Sequence, residues 1–104
     1  KANMAELGEE MEYPNPNIMY GSSDVGNVSI KIPAIHDYLS IAPAGVSSHN
    51  KEFTVASMTE RADEICIKGA KGLAMTAIDV LADVAFQQEI KDYHQKQVPA
   101  EYRK

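Results

Sequence analysis

Residues 26–42 read G-N-V-S-I-K-I-P-A-I-H-D-Y-L-S-I-A, and whether they form strand or helix decides the fold. Val28, Ile30 and Ile32 alternate strictly with Ser29 and Lys31. A period of two puts the three apolar side chains on one face, the pattern of a half-buried strand over 28–32. Pro33 ends it, because proline has no N–H for a ladder. Residues 35–42 form a second strand candidate with looser alternation, and I-M-Y-G at 18–21 is long enough for an edge strand. Between them G-S-S-D-V-G-N at 21–27 is turn chemistry.

Outward from this region the chain reads as helix. Ser57 with Glu60 three residues on predicts a capping box. Ala62, Ile65, Cys66, Gly69, Leu73, Ala77, Val80, Leu81 and Val84 then recur at three- and four-residue steps, predicting one apolar stripe on a helix of about 58–83. Its small residues Gly69, Ala70, Gly72 and Ala74 let it lie close against a sheet. Asp83 caps a further helix over about 84–96, and Pro99 ends it. N-M-A-E-L-G-E-E-M-E at 3–12 reads as a short helix capped by Asn3, broken by Pro14 and Pro16. Strands plus a long striped helix predict an α/β layer. With few strands, one sheet face stays uncovered, so the chain reads as part of a larger domain that self-associates when isolated.

Composition narrows the function classes. At 104 residues the chain makes one domain at most. Its net charge of −5 disfavours a nucleic-acid backbone as partner. No apolar run of about 18 residues exists, which argues against a membrane span. The single cysteine, Cys66, makes no internal disulfide, which with no visible signal peptide fits a reducing, cytoplasmic location. Cys66 falls on the apolar stripe and reads as a buried, inert thiol.

No P-loop, G-x-G-x-x-G, G-x-S-x-G or C-x-x-C is present, and no two histidines share a metal-ligand spacing. His94 reads as a surface residue near a helix C-terminus, and His36 as structural within a strand. His49 differs. It lies in A-P-A-G-V-S-S-H-N-K-E-F, residues 42–53, where small residues bury little and a connecting loop is a frequent place for chemistry. From residues and spacing alone, the function stays open.

G-S-S-D-V-G-N-V-S-I-K-I-P-A-I-H-D-Y-L-S-I-A-P-A-G-V-S-S-H-N-K-E-F, followed by G-A-K-G-L-A-M-T-A-I-D-V-L-A-D, resembles the C-terminal part of a dinuclear-zinc metallopeptidase and amidohydrolase family. That family includes carboxypeptidase G, aminoacylase, aminobenzoyl-glutamate hydrolase and β-alanyl-lysine dipeptidase. The likeness is strongest to the last two and runs from about residue 13 to residue 92.

The resemblance implies the C-terminal portion of an α/β sandwich: a few strands, a long helix and a shorter C-terminal helix. Residues 1–104 would then be an incomplete catalytic domain, without its N-terminal half or its lid and dimerisation domain. The resemblance assigns His49 as a metal ligand, one of the set holding two divalent ions, zinc or manganese. It likens Gly21, Ser22, Ser23 and Asp24 to the substrate-side loop. There backbone N–H groups hold a substrate carboxylate, while Asp24 steadies the loop or a ligand. It places no catalytic residue here, because the H-x-D pair and the glutamate pair of the family are absent from these residues. The implied activity is hydrolysis of an amide bond in an N-acyl or aminobenzoyl amino acid or a dipeptide, by a homodimeric parent. The chain's partners are that small-molecule substrate and the remainder of its own catalytic domain. This segment alone is expected to be inactive. The competing reading is a non-enzymatic α/β interaction module or a degenerate remnant.

Overall fold

The computed structural model describes residues 1–103, and among them the secondary structure is entirely helical. Its elements are α1 (Ala2–Glu6), α2 (Val25–Ser29), α3 (Lys51–Ala56), α4 (Glu60–Ala82), α5 (Val84–Gln97) and a final 3₁₀ turn (Ala100–Tyr102). The α/β sandwich is thus overturned: no strand or sheet occurs among the described residues.

The reason lies in backbone hydrogen bonding. A lone extended segment leaves its N–H and C=O groups unpaired, and no second strand exists to pair them. Residues 23–32 pair locally instead. Gly26 N donates to Ser23 O at 3.1 Å, Lys31 N to Val28 O at 2.9 Å and Ile32 N to Val28 O at 3.0 Å. The alternating run therefore coils into α2 and the turn after it. Residues 35–42 and 18–21 carry no regular structure apart from bends at Ile18 and Ala42, and Ile18, Met19, Tyr20, Ile35 and Tyr38 are exposed. His36 lies in that exposed segment and not in a strand. With no sheet edge, self-association can no longer be argued from one.

The chain forms two compact units. The first comprises Lys1–Met11 with Tyr38–Thr76, and the second comprises Glu12–Asp37 with the residues from Ala77 onward.

In the first unit α1 is shorter than its sequence suggests, because Leu7-Gly8-Glu9 closes it. Gly8 takes φ +80°, a conformation costly for residues with a Cβ. Gly8 N then donates to Ala5 O at 3.0 Å and Glu9 N to Met4 O at 2.9 Å, the paired bonds of a Schellman C-terminus. Asn3 does not cap α1; its Nδ2 donates to Thr76 Oγ1 on α4 at 3.1 Å. Met4 packs on Gly72, where a larger residue would collide with its side chain, and Leu39 lies against Gly69. The small residues of α4 do admit close neighbours, though these are α1 and a loop. Met4 and Ile65 are the buried apolar residues of this unit.

Helix α4 begins two residues later than the capping box at Ser57 and Glu60 implies. Ser57 closes α3, donating its hydroxyl to Thr54 O at 2.7 Å, and Thr59 Oγ1 accepts from Ala62 N at 3.3 Å to cap α4. The broad stripe read from the sequence is not one buried face. Ile65 and Gly72 are buried, whereas Leu73, Leu81 and Val84 are 65 %, 79 % and 77 % exposed. Cys66 is exposed as well, not buried.

In the second unit Asp83 caps α5 as its sequence indicates, accepting from Phe86 N at 3.0 Å. His94 is half-buried, not a surface residue, and lies 2.7 Å from Ser29 O. A carbonyl only accepts, so Nε2 carries the proton and donates. Arg103 donates from Nε to Val98 O at 2.7 Å and from Nη2 to Lys96 O at 3.0 Å, satisfying carbonyls at the end of α5.

Candidate functional site

His49 sits at the bend immediately before α3, in the first unit. Its φ is +66°, and it is the one non-glycine residue with positive φ among the described residues. Left-handed backbone costs about 1 kcal/mol or more for such a residue. Strain of this kind collects at functional sites, where surrounding structure enforces it. The enforcing contacts follow directly in sequence. Asn50 Oδ1 accepts from Phe53 N at 2.8 Å, and Thr54 donates Oγ1 to Asn50 O at 3.1 Å. These bonds fix the first turn of α3 and so the residue entering it. His49 is exposed, and it lines an open groove of about 460 Å³ with Ser48, Asn50, Lys51, Phe53 and Thr54.

One imidazole with open space before it fits one place in a metal's ligand set. The rest of a set is missing: among the described residues no three His, Cys, Asp or Glu side chains cluster to hold a metal. A catalytic zinc usually takes three protein ligands.

Gly21, Ser22, Ser23 and Asp24 lie in the second unit and are exposed. Gly21 has φ +90°. Ser23 Oγ accepts from Val25 N at 3.2 Å, and Asp24 occupies the N-cap position of α2 without a side-chain capping bond. The turn expected over 21–27 is reduced to Asp24: residues 21–23 are irregular, and Val25-Gly26-Asn27 belong to α2.

A charged cluster formed by Glu9, just after α1, with three residues of α4 was not visible in the sequence as a whole. Arg61 Nη1 and Nη2 each donate to a Glu9 carboxylate oxygen at 2.9 Å, and Lys68 Nζ lies 2.8 Å from Glu9 Oε1 and 2.8 Å from Glu64 Oε1. The hydrogen bonds from Arg61, then those from Lys68, hold the Glu9 carboxyl down at about 2. The Lys68 ammonium lowers Glu64, and the Glu64 and then the Glu9 carboxylates raise Lys68. The Arg61–Glu64 and Glu64–Lys68 pairs, three and four residues apart on one helix, are visible in sequence, whereas the Glu9 contacts are not. Glu9 reaches them through the turn at Gly8.

Glu9 is ionised at neutral pH when folded and takes a proton more readily when unfolded. Its contribution is therefore complete above about 4.5 and is lost as pH falls from there toward about 2. Thermal unfolding followed by circular dichroism should show melting temperature falling through this window. Glu9→Gln should flatten that fall and lower the melting temperature at pH 7. An equally steep fall in the variant would remove Glu9 as its cause.

No helix among the described residues is long and apolar enough to cross a membrane. No protein-family model matches the chain, and no solved structure matches it. Two curated proteins are similar to it. The Xaa-Arg dipeptidase of Mus musculus is 33 % identical over 91 residues, which is 88 % of this chain and 20 % of that protein. The Xaa-Arg dipeptidase of Homo sapiens is 41 % identical over 61 residues, 59 % of this chain and 14 % of that protein. A stretch as long as the mouse match cannot miss the middle of the chain, so it includes both His49 and the Gly21–Asp24 turn. The chain spans about a fifth or less of the length of these relatives, and its likeness is to peptidases of the dipeptidase kind.

Proposed function

We propose that this chain is part of a metal-dependent dipeptidase or amidohydrolase, to which it contributes His49 as a metal ligand. The observation that carries the reading is the similarity to dipeptidases across the stretch containing His49. The strained, exposed imidazole beside a groove supports it. Zinc or manganese bound in the complete site supplies Lewis acidity to the scissile carbonyl and to the attacking water. This chain's part is to fix the His49 imidazole through the Asn50 cap and to leave the groove open in front of it. The remaining ligands and the general base come from the rest of the catalytic domain. The names of the relatives make a dipeptide ending in arginine the first substrate to assay. Aminobenzoyl-glutamate and β-alanyl-lysine are the next, following the sequence resemblance. The resemblance also suggests a homodimeric parent.

A second reading, a non-enzymatic interaction module, draws on the exposed apolar side chains of α4, among them Ile67 and Leu73.

One experiment separates the two. The complete polypeptide carrying this segment is stripped with a chelator and assayed on the three substrates. Turnover should vanish and return with zinc or manganese. The 104-residue chain alone should show none with either metal. Metal-insensitive turnover would overturn the metal dependence, and no turnover on any of the substrates would overturn the hydrolase reading. Metal-dependent turnover by the isolated chain would show that the ligand set is complete within it.

A further inference from the structure

We propose that the uncovered apolar arc of α4 in the first unit, marked by Cys66, Ala70 and Leu73, packs against the rest of the parent polypeptide. The proposal rests on the reading of this chain as part of a longer enzyme, and it needs no metal. A helix turns about 100° per residue. Gly72, Ile65 and Gly69 therefore form one edge of an apolar arc. Leu73, Cys66, Ala70, Ala74 and Ile67 continue it, to about 220° in all. Lys68 and Lys71 fall outside it. A helix packed on one side carries an apolar stripe a little over 100° wide, and one apolar most of the way round is buried on further sides.

Here one edge alone is covered. Met4 packs on Gly72, Leu39 lies against Gly69, and Ile65 is buried. Cys66, Ile67, Ala70, Leu73 and Ala74 are exposed. Ala70 and Ala74 form a shallow trough between the ridges of Leu73 and Ile67, which admits a closely packed apolar surface and offers nothing to a charged one. The chain also exposes more surface than its mass requires. Two separate compact units, each of half its 11.4 kDa, would together expose about 7,000 Å². The chain exposes 8654 Å². The excess of about 1,700 Å² is larger than the roughly 800 Å² that each partner buries in a stable interface. The occupant is a part of the same polypeptide and not a second copy. The relatives match this chain over a fifth or less of their own length, so most of each lies outside the match. A tethered segment acts at an effective concentration on the order of millimolar, which a second copy at micromolar concentration does not match.

Cys66 reports on the arc directly. Both the 104-residue chain and the complete polypeptide are treated with N-ethylmaleimide, and alkylation of Cys66 is followed by peptide mass spectrometry. Cys66 should react freely in the 104-residue chain. In the complete polypeptide it should react about 100-fold more slowly or less, because a covered thiol is reached only through rare openings. Leu73→Ala should leave the melting temperature of the 104-residue chain nearly unchanged and lower that of the complete polypeptide by about 4 °C or more. Lys71→Ala, outside the arc, should change neither. Equal alkylation rates in the two proteins would overturn the proposal, and so would a complete polypeptide indifferent to Leu73→Ala. Protection of Cys66 in the 104-residue chain that vanishes on dilution would make the occupant a second copy and overturn it too. None of these readouts uses turnover, so a polypeptide that hydrolyses no substrate would fault the hydrolase reading and leave this one standing.

Discussion

Replacing His49 by alanine in the complete enzyme is expected to cut kcat by more than about 100-fold and to remove one of two bound metals. Loss of a group that merely supports a ligand from behind costs about 10–100-fold, and a direct ligand costs more. The fold should survive, because His49 is exposed and its side chain packs into no core. The backbone allows a sharper version. At φ +66° glycine is unstrained, so His49→Gly should raise stability by about 1 kcal/mol while abolishing activity. His49→Asn tolerates the same φ and removes the imidazole with little change in stability. Metal content by mass spectrometry, turnover and melting temperature should show activity lost in both variants, with stability raised in His49→Gly and nearly unchanged in His49→Asn. Two retained metals with normal turnover in these variants would remove His49 from the site. Lost stability in His49→Gly would mean that the loop is not strained.

His49 stood out in the sequence because a histidine among Ala, Pro, Gly and Ser has no packing to do there. Its left-handed backbone was not legible. That conformation depends on where Asn50 starts α3, which rests on a side-chain hydrogen bond to Phe53 N. The Glu9 cluster was hidden for a related reason. Glu9 and Arg61 are 52 residues apart, and a turn built on Gly8 is what aims the carboxylate at α4.

The fold was legible where signals were local. Asp83 and the three residues after it mark the start of α5, and the long periodic run marks α4. It was misread where pairing was needed. The alternation at 28–32 has the period of a strand, but period alone provides no neighbouring strand. Five residues are also too few to distinguish an alternating strand from a turn and a half of helix. The local bonds from Ser23 to Ile32 then decide the outcome.

The stripe on α4 makes the same point quantitatively, and it yields the largest expected change in stability. Ile65 and Leu73 both sat on the apolar run read from sequence, yet eight residues turn a helix by about 80° beyond two full turns. Ile65 and Gly72 are seven apart and about 20° off register, so they share one buried face, on which Met4 packs at Gly72. Ile65 is 4 % exposed and Leu73 is 65 % exposed. In the 104-residue chain, Ile65→Ala should cost about 2–5 kcal/mol, the range for truncating a buried aliphatic side chain. At about 4–8 °C per kcal/mol that lowers the melting temperature by roughly 10 °C or more. Leu73→Ala should stay within about 0.5 kcal/mol, as exposed substitutions do. Chemical denaturation of the two variants measures both values. Equal costs would mean that α4 buries the broad stripe after all, and that α1 does not define its packed face. A large cost at Ile65 alone would establish that the packed face of α4 is the narrow one carrying Ile65 and Gly72 and not the broad stripe.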